Sequence, residues 1–236
     1  GAQLTALGQA LGKPRAIVVV SPHWMTREVE ITAALRPETI HDFGGFPRAL
    51  YALQYPAPGD PVLAARVQQH LASQGIRAHL HPERGLDHGA WVPLRHLYPQ
   101  ADVPVLQVSM PFDLDEAQAF ALGEALAPLA NEGVLVVGSG SLTHNLYEFR
   151  AGATEAAPYA QAFVDWVRQA VVDADGPRLI QTLSLAPHAA RAQACRPGGD
   201  EQRQKVFRGG MRARGMLAME SYLFGQGVAL DVPALA

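Results

Sequence analysis

The sequence predicts an α/β protein: a single layered domain whose central sheet, mostly parallel or mixed, is flanked by helices. Three observations carry that expectation. Short apolar runs of strand length alternate with stretches whose apolar residues recur at three- and four-residue spacing. The runs are dense in Val, Ile and Leu with few polar interruptions, as strands covered on both faces are. Hydrophobic residues make up 48% of the 236 residues and charged residues 17%, which is ample material for a core.

The first strand is expected over 16–20, the second over 29–34, the third over 103–109 and the fourth over 133–137. A helix is expected over 61–74, with Pro61 suited to its first position and Gly75 to its end. A second, over 114–131, takes Asp113 as its N-cap. A third spans 157–173 and turns Trp166 inward. Periodicity lapses over 191–214, where Pro197-Gly198-Gly199 breaks the chain, and a mobile loop is expected there. No internal repeat, low-complexity tract or interdomain linker stands out, so one domain over 1–236 is the simplest organisation.

Composition excludes several classes. Net charge is −3 with no long run of either sign, whereas a nucleic-acid binder needs a clustered basic face. The nearest candidate, 203–214, is short and broken by Val206, Phe207 and two glycines. Cys195 is the single cysteine, which rules out an intramolecular disulfide and a thiolate metal cluster and leaves an unremarkable thiol. No apolar run reaches the length of a membrane span, and the opening GAQLTALGQALGKPRA lacks the basic start and apolar core of a signal peptide. A soluble cytoplasmic protein is expected.

Four histidines stand in telling places: His23 in VVVSPHW, His41 in HDFGGFP, His88 in GLDHGAW and His144 in VVGSGSLTHN. Two follow buried strands and two lie in glycine-marked loops, and in open α/β sheets ligands bind outside the carboxyl ends of strands. Each has a plainer alternative. His23 can be a packed loop histidine, and the His41 loop only a tight corner whose histidine caps a helix. His88 can be held by Asp87 under Trp91, and His144 can cap a helix. A neutral imidazole is a common metal ligand and a proton shuttle near neutral pH. Without a cysteine cluster, a metal here would take nitrogen and oxygen donors, which suits non-haem iron or zinc.

SPHW, HDFGGFP with the following YALQYPAPG, GLDHGAW and SGSLTHNL occur in the order and approximate spacing of one family. The chain resembles the class III extradiol ring-cleaving dioxygenases, and among them the branch of the bacterial 4,5-DOPA extradiol dioxygenase. The segment GMLAMESYLFG looks like that family's closing strand, so the resemblance runs over 16–225. It implies one bound Fe(II), or Zn in the same site, with His41 as a metal ligand. It implies His144 in acid–base work, His88 as a second active-site histidine, and His23 at the pocket edge. Phe46 and Tyr222 become ring contacts. The glycines of HDFGGFP would let that loop fold close to the metal, with Phe43 and Phe46 anchoring it. The implied substrates are a catechol such as DOPA and O2, the ring opening beside the two hydroxyls, and a homodimer is left open.

Two family features do not occur in these residues. The Gly-His-Gly-Ser-Pro turn that carries a metal ligand is absent. Where a late histidine or glutamate ligand belongs, the chain reads APHAARAQACRPGGDEQRQKVFRGG, with Gln193 and no histidine after His188. The remaining ligands are therefore expected outside the 236 residues, on an N-terminal strand and a late loop. The rival expectations are a metal-poor, non-catalytic binding protein on the same fold and a zinc hydrolase. The hydrolase lacks an H-E-x-x-H or equivalent.

Overall fold

The computed structural model of the chain describes residues 1–140, 142, 143, 145, 148 and 157–193. Its elements in chain order are α1 (Ala2–Leu11), β1 (Ala16–Thr26), β2 (Val29–Thr32), α2 (Arg48–Tyr51), α3 (Pro61–Ser73), β3 (Ala78–His81), α4 (His88–Leu97), β4 (Val105–Pro111), α5 (Glu116–Leu126), a 3-10 helix (Ala127–Glu132), β5 (Val134–Gly138), α6 (Pro158–Val172), α7 (Gly176–Ile180), α8 (Thr182–Leu185) and α9 (Ala189–Ala192). The strands form one mixed sheet in the order β3-β2-β4-β1-β5. β1 runs parallel to both β4 and β5, β2 parallel to β3, and β2 antiparallel to β4. A mostly parallel or mixed sheet flanked by helices is what the apolar runs predict.

Alternation along β1 divides the core. Ala16, Val18 and Val20 face Leu63, Val67 and Leu71 of α3 and Leu122 and Leu126 of α5. Ile17 and Val19 face Leu4 of α1 and Ala90, Trp91 and Leu94 of α4. Successive side chains leave a strand on opposite faces, so five β-branched or small residues in a row serve two layers. A third cluster joins Leu142, Tyr159, Phe163 and Val167 to Ala189 and Ala192 of α9.

β1 continues past its apolar run, and this extension sets up the site. Val20 stands opposite Val108 and Met25 opposite Met110, so residues 21–24 face a single β4 residue, Ser109. Pro22 has no N–H to give to a ladder, and a bulge of this kind re-aims side chains. His23 therefore sits within the irregular part of β1 rather than after it.

Other details depart from the expectations. The cap of α5 is Asp115, not Asp113. Its carboxylate accepts the Gln118 N–H at 2.7 Å while the Gln118 side chain accepts the Asp115 N–H at 2.9 Å. That reciprocal pair outcompetes a lone upstream aspartate. Asp113 falls in the turn after β4. The helix also ends earlier, passing into the 3-10 turn at Ala127. Trp166, by contrast, packs against the third cluster as expected, half-buried and with the Arg178 guanidinium 4.5 Å over its ring. β3 has no counterpart among the expected strands, since AHLH is a short edge strand with two exposed residues and no apolar run. The loop expected over 191–214 lies outside the described residues beyond Gln193. Among the described residues no helix is long and apolar enough to cross a membrane.

α4 meets β1 at a glycine. A Cβ on Gly89 would lie 2.3 Å from the Ser21 Oγ and 3.0 Å from the His23 Cδ2. Gly89→Ala is expected to lower unfolding stability by about 1–3 kcal/mol, as overpacking does, read by urea or thermal denaturation. A variant as stable as the parent would show that the helix can lift off β1 without cost.

Candidate metal centre

Three segments bring two imidazoles and a carboxylate together. His23 comes from the bulge of β1, His88 is the first residue of α4, and Asp42 comes from the loop after β2. One donor atom from each lies within 4.8 Å of the others. The Asp42 carboxylate accepts a hydrogen bond from the His88 Nδ1 at 2.8 Å and from the His88 backbone N–H at 2.9 Å. The His23 Nδ1 is 3.8 Å from the other Asp42 oxygen, and the two imidazole rings lie 3.9 Å apart at 44°. The three side chains are 22%, 23% and 27% exposed, so a solute can reach them.

The loop is held against α4 by its own backbone. The Ile40 N–H donates to the Leu86 carbonyl at 2.8 Å and the Leu86 N–H to the Glu38 carbonyl at 2.7 Å. The Trp91 indole N–H reaches the Ile40 carbonyl at 2.8 Å. These bonds place residue 42 beside the first turn of α4, whose N–H groups have no helical partner. Asp42 supplies one.

Burial alone would raise the Asp42 pKa. The His88 ring bond, the His88 backbone N–H and the His88 charge outweigh it and hold the carboxyl down at about 2. Asp42 is thus an anion at any physiological pH. Two imidazoles and one carboxylate are the donor set that suits non-haem ferrous iron, and zinc accepts it too. The described residues therefore fit a metal ion.

The expected site residues fall in different places. His23 and His88 are brought together. His41 is not among the three convergent groups: its Nε2–H donates to the Leu53 carbonyl at 2.9 Å, and its ring lies 5.5 Å from Trp91 and 5.8 Å from Phe43. Phe46 is 55% exposed, its ring perpendicular to Phe43 at 5.5 Å. Phe43 in turn meets the His88 ring at 5.5 Å and 89°. His144 and Tyr222 lie outside the described residues. The two glycines serve turning rather than close approach. Neither would bring a Cβ within 4 Å of anything, and Gly45 alone has a positive φ, +79°.

Sequence reasoning missed Asp42 as a member of the site, although it stands in the quoted HDFGGFP. Asp87 was expected only as a possible holder of His88, and Gln107 was missed. Asp87 caps α4 by accepting the Ala90 N–H at 3.2 Å, and its place three residues before an alanine in an apolar helical run was a readable cap signal. Gln107, inside an apolar strand run, gave the signal of a buried polar group that must find partners.

Asp42 also sets a pH dependence. A carboxyl whose folded pKa is depressed stabilises the fold fully above its ordinary value of 3.8 and loses that contribution as pH falls toward about 2. The stability gap between the protein and its Asp42→Asn variant should be fully present at about pH 4 and close near pH 2, as read by urea unfolding. A gap that persists unchanged at pH 2 would assign it to shape rather than charge.

The model of the family described as the catalytic LigB subunit of aromatic ring-opening dioxygenase matches residues 4–211. The 4,5-DOPA dioxygenase extradiol of Beta vulgaris is 44% identical over 177 residues, 75% of this chain and 66% of that protein. The protein of the same name from Escherichia coli K12 is 46% identical over 164 residues, 69% of this chain and 60% of that protein. The chain thus spans less than two thirds of the length of these relatives. The crystal structure of an uncharacterized protein from Escherichia coli K12 is similar with a TM-score of 0.64 and 34% identity, over 79% of this chain and 72% of that one. On the match over 4–211, this chain belongs to the LigB family of catalytic subunits of aromatic ring-opening dioxygenases.

Proposed function

We propose that the protein is a metal-dependent extradiol dioxygenase that opens the ring of a catechol with O2, working as one catalytic domain over 1–236. The observation that carries this is the convergence of His23, Asp42 and His88 in a chain of this family. The names of the relatives point to DOPA as the catechol. Fe(II) is the metal of the proposal because two histidines and one carboxylate on one side leave positions open for substrates; zinc fits the same donors. A single cysteine suits the reducing cytoplasm.

His23, Asp42 and His88 would hold the ion. Its chemistry, when bound, is to bring catechol and O2 together and let electron density pass from the ring to oxygen. The chain's own residues do the rest. Asp42 orients the His88 ring through Nδ1, which leaves Nε2 as the lone-pair nitrogen of the neutral imidazole. The Phe43 ring stands perpendicular to that ring and limits its rotation on one side. Phe46 and Tyr51, both exposed beside Phe43, offer aromatic faces to a substrate ring. His144 takes the phenolic proton, with Tyr222 as a further ring contact. Acid–base help of this kind contributes about 10²–10⁴-fold to rate.

A specific observation supports a second reading of the ligand set. The His41 Nε2–H is spent on the Leu53 carbonyl, which makes Nδ1 the lone-pair nitrogen, and metal-bound histidines commonly spend their other N–H in this way. His41 and Asp42 are therefore competing ligands from one loop.

Two measurements test the proposal. After anaerobic loading with ferrous iron, the protein should take up O2 in proportion to added L-DOPA or catechol and form a coloured semialdehyde. Folded protein that retains no iron, or that retains it and consumes no O2, would sink the enzyme reading in favour of a binding protein. In equilibrium zinc binding, Asp42→Ala should lose most affinity while His41→Ala keeps it. The reverse order would return the ligand role to His41.

A further inference from the structure

Beneath the candidate metal centre lies a buried polar network. Ser21 of β1, Asp87 and Gln107 of β4 have no solvent exposure, and Thr32 of β2 has 1%. Ser21 Oγ–H donates to Asp87 Oδ1 at 2.8 Å, and the Gln107 Nε2–H donates to Asp87 Oδ2 at 2.7 Å. The Asp87 backbone N–H donates to the Gln107 Oε1 at 2.8 Å, so one amide side chain grips both the backbone and the carboxylate of residue 87. The Gln107 N–H is held in turn by the Thr32 Oγ1 at 2.8 Å. The Arg84 guanidinium stands 4.0 Å from Asp87 Oδ2 as the nearest countercharge.

Both imidazoles of the site hang on this network. His88 is the residue after Asp87, and the His23 N–H donates to the Ser21 Oγ at 3.3 Å. We infer that Asp87 and Gln107 are positioning residues that set the separation and aim of His23 and His88, so that their pairing decides how tightly the site takes a metal. An apolar sheet strand gains no stability from a buried glutamine that an apolar residue would not match. Its two-ended grip on residue 87 fixes where α4 begins. The metal arm of this inference rests on the proposed metal centre; the backbone arm below does not.

The orientation of the Gln107 amide is locked, because its oxygen must face a backbone N–H that cannot turn round. Asp87→Asn alone therefore sets two N–H groups against each other. Gln107→Glu alone sets two carboxylates against each other in a dry site. The double variant Asp87→Asn/Gln107→Glu removes both conflicts. The new carboxylate on β4 accepts the backbone N–H and the new amide N–H at 87, while the amide oxygen at 87 keeps its Ser21 and Ala90 donors.

The test compares the parent, both single variants and the double variant by zinc affinity and by hydrogen exchange of the His88 and His23 amides. Each single variant is expected to bind zinc about ten- to a hundredfold more weakly, the range seen when groups orienting metal ligands are lost. Each should also exchange the His88 amide faster, and the double variant should recover both. Ser21→Ala, which leaves the Asp87–Gln107 grip intact, is the milder variant and should speed exchange at His23 more than at His88. Folded single variants with parental His88 exchange and parental zinc affinity would overturn the inference, as would a folded double variant that recovers neither. Parent protein that binds no zinc would end the metal-centre reading, and the exchange measurements would still decide the positioning role.

Discussion

The Asp87 carboxylate is entirely shut off from solvent, and the geometry of the site follows from how it is satisfied. Stripping a carboxylate of water costs several kcal/mol, and leaving one unpaired in the interior costs roughly 3–5 kcal/mol. The chain meets that demand with donors from three places: the Ser21 hydroxyl on β1, the Gln107 amide on β4 and the Ala90 N–H in the first turn of α4. Each donor also fixes a direction. α4 must start at residue 88, close enough to β1 that only glycine fits at 89. A helix that starts there presents its first N–H, that of His88, beside the irregular part of β1, where the Asp42 carboxylate accepts it.

The site is thus assembled from outside inward, by a strand that breaks register and a loop that is pinned. The bulge at 21–24 sets His23 beside the start of α4 although its neighbours Ile17 and Val19 are core. The backbone bonds between 38–40 and 86 do the same for Asp42. Two carboxylates, Asp42 and Asp87, then occupy one helix N-terminus, with opposite consequences. Asp87 is consumed by the network and serves only to place its neighbours. Asp42 sits at the surface of the same turn with its charge intact, its bonds to His88 being the kind a bound cation can replace or share.

The legibility of this arrangement varied with the length scale of the forces. The four apolar strands, the Pro61 start of α3 and the Gly75 stop after it are local effects, readable in a window of a dozen residues. The edge strand β3 was not, because AHLH gains its place from pairing with β2 rather than from its own pattern. For the site, His23, His41 and His88 stood out through flanking glycines, prolines and aromatics. The aspect that stayed hidden was which residue of the His41-Asp42 pair faces the other histidines. That depends on contacts made 46 residues away, at His88, and on a carbonyl 12 residues away, at Leu53. Nothing within HDFGGFP itself distinguishes the two orientations.

That choice is the physical crux of the site. The side chains of residues 41 and 42 leave the backbone toward different partners: His41 toward Leu53, Trp91 and Tyr51, and Asp42 toward His88 and His23. Turning His41 to the histidine side would break its bond to the Leu53 carbonyl and lift its ring from Trp91. It would also strip the His88 N–H and Nδ1 of their acceptor. Hydrogen bonds of this kind are individually modest, about 0.5–1.5 kcal/mol each, and somewhat stronger where a charge is involved. A bound divalent cation is worth more than such a sum. The loop is therefore stable in the orientation described, yet the margin is small enough for a ligand to decide it. The two glycines after Phe43, one of them already at positive φ, put a flexible joint beside the residues that would have to turn.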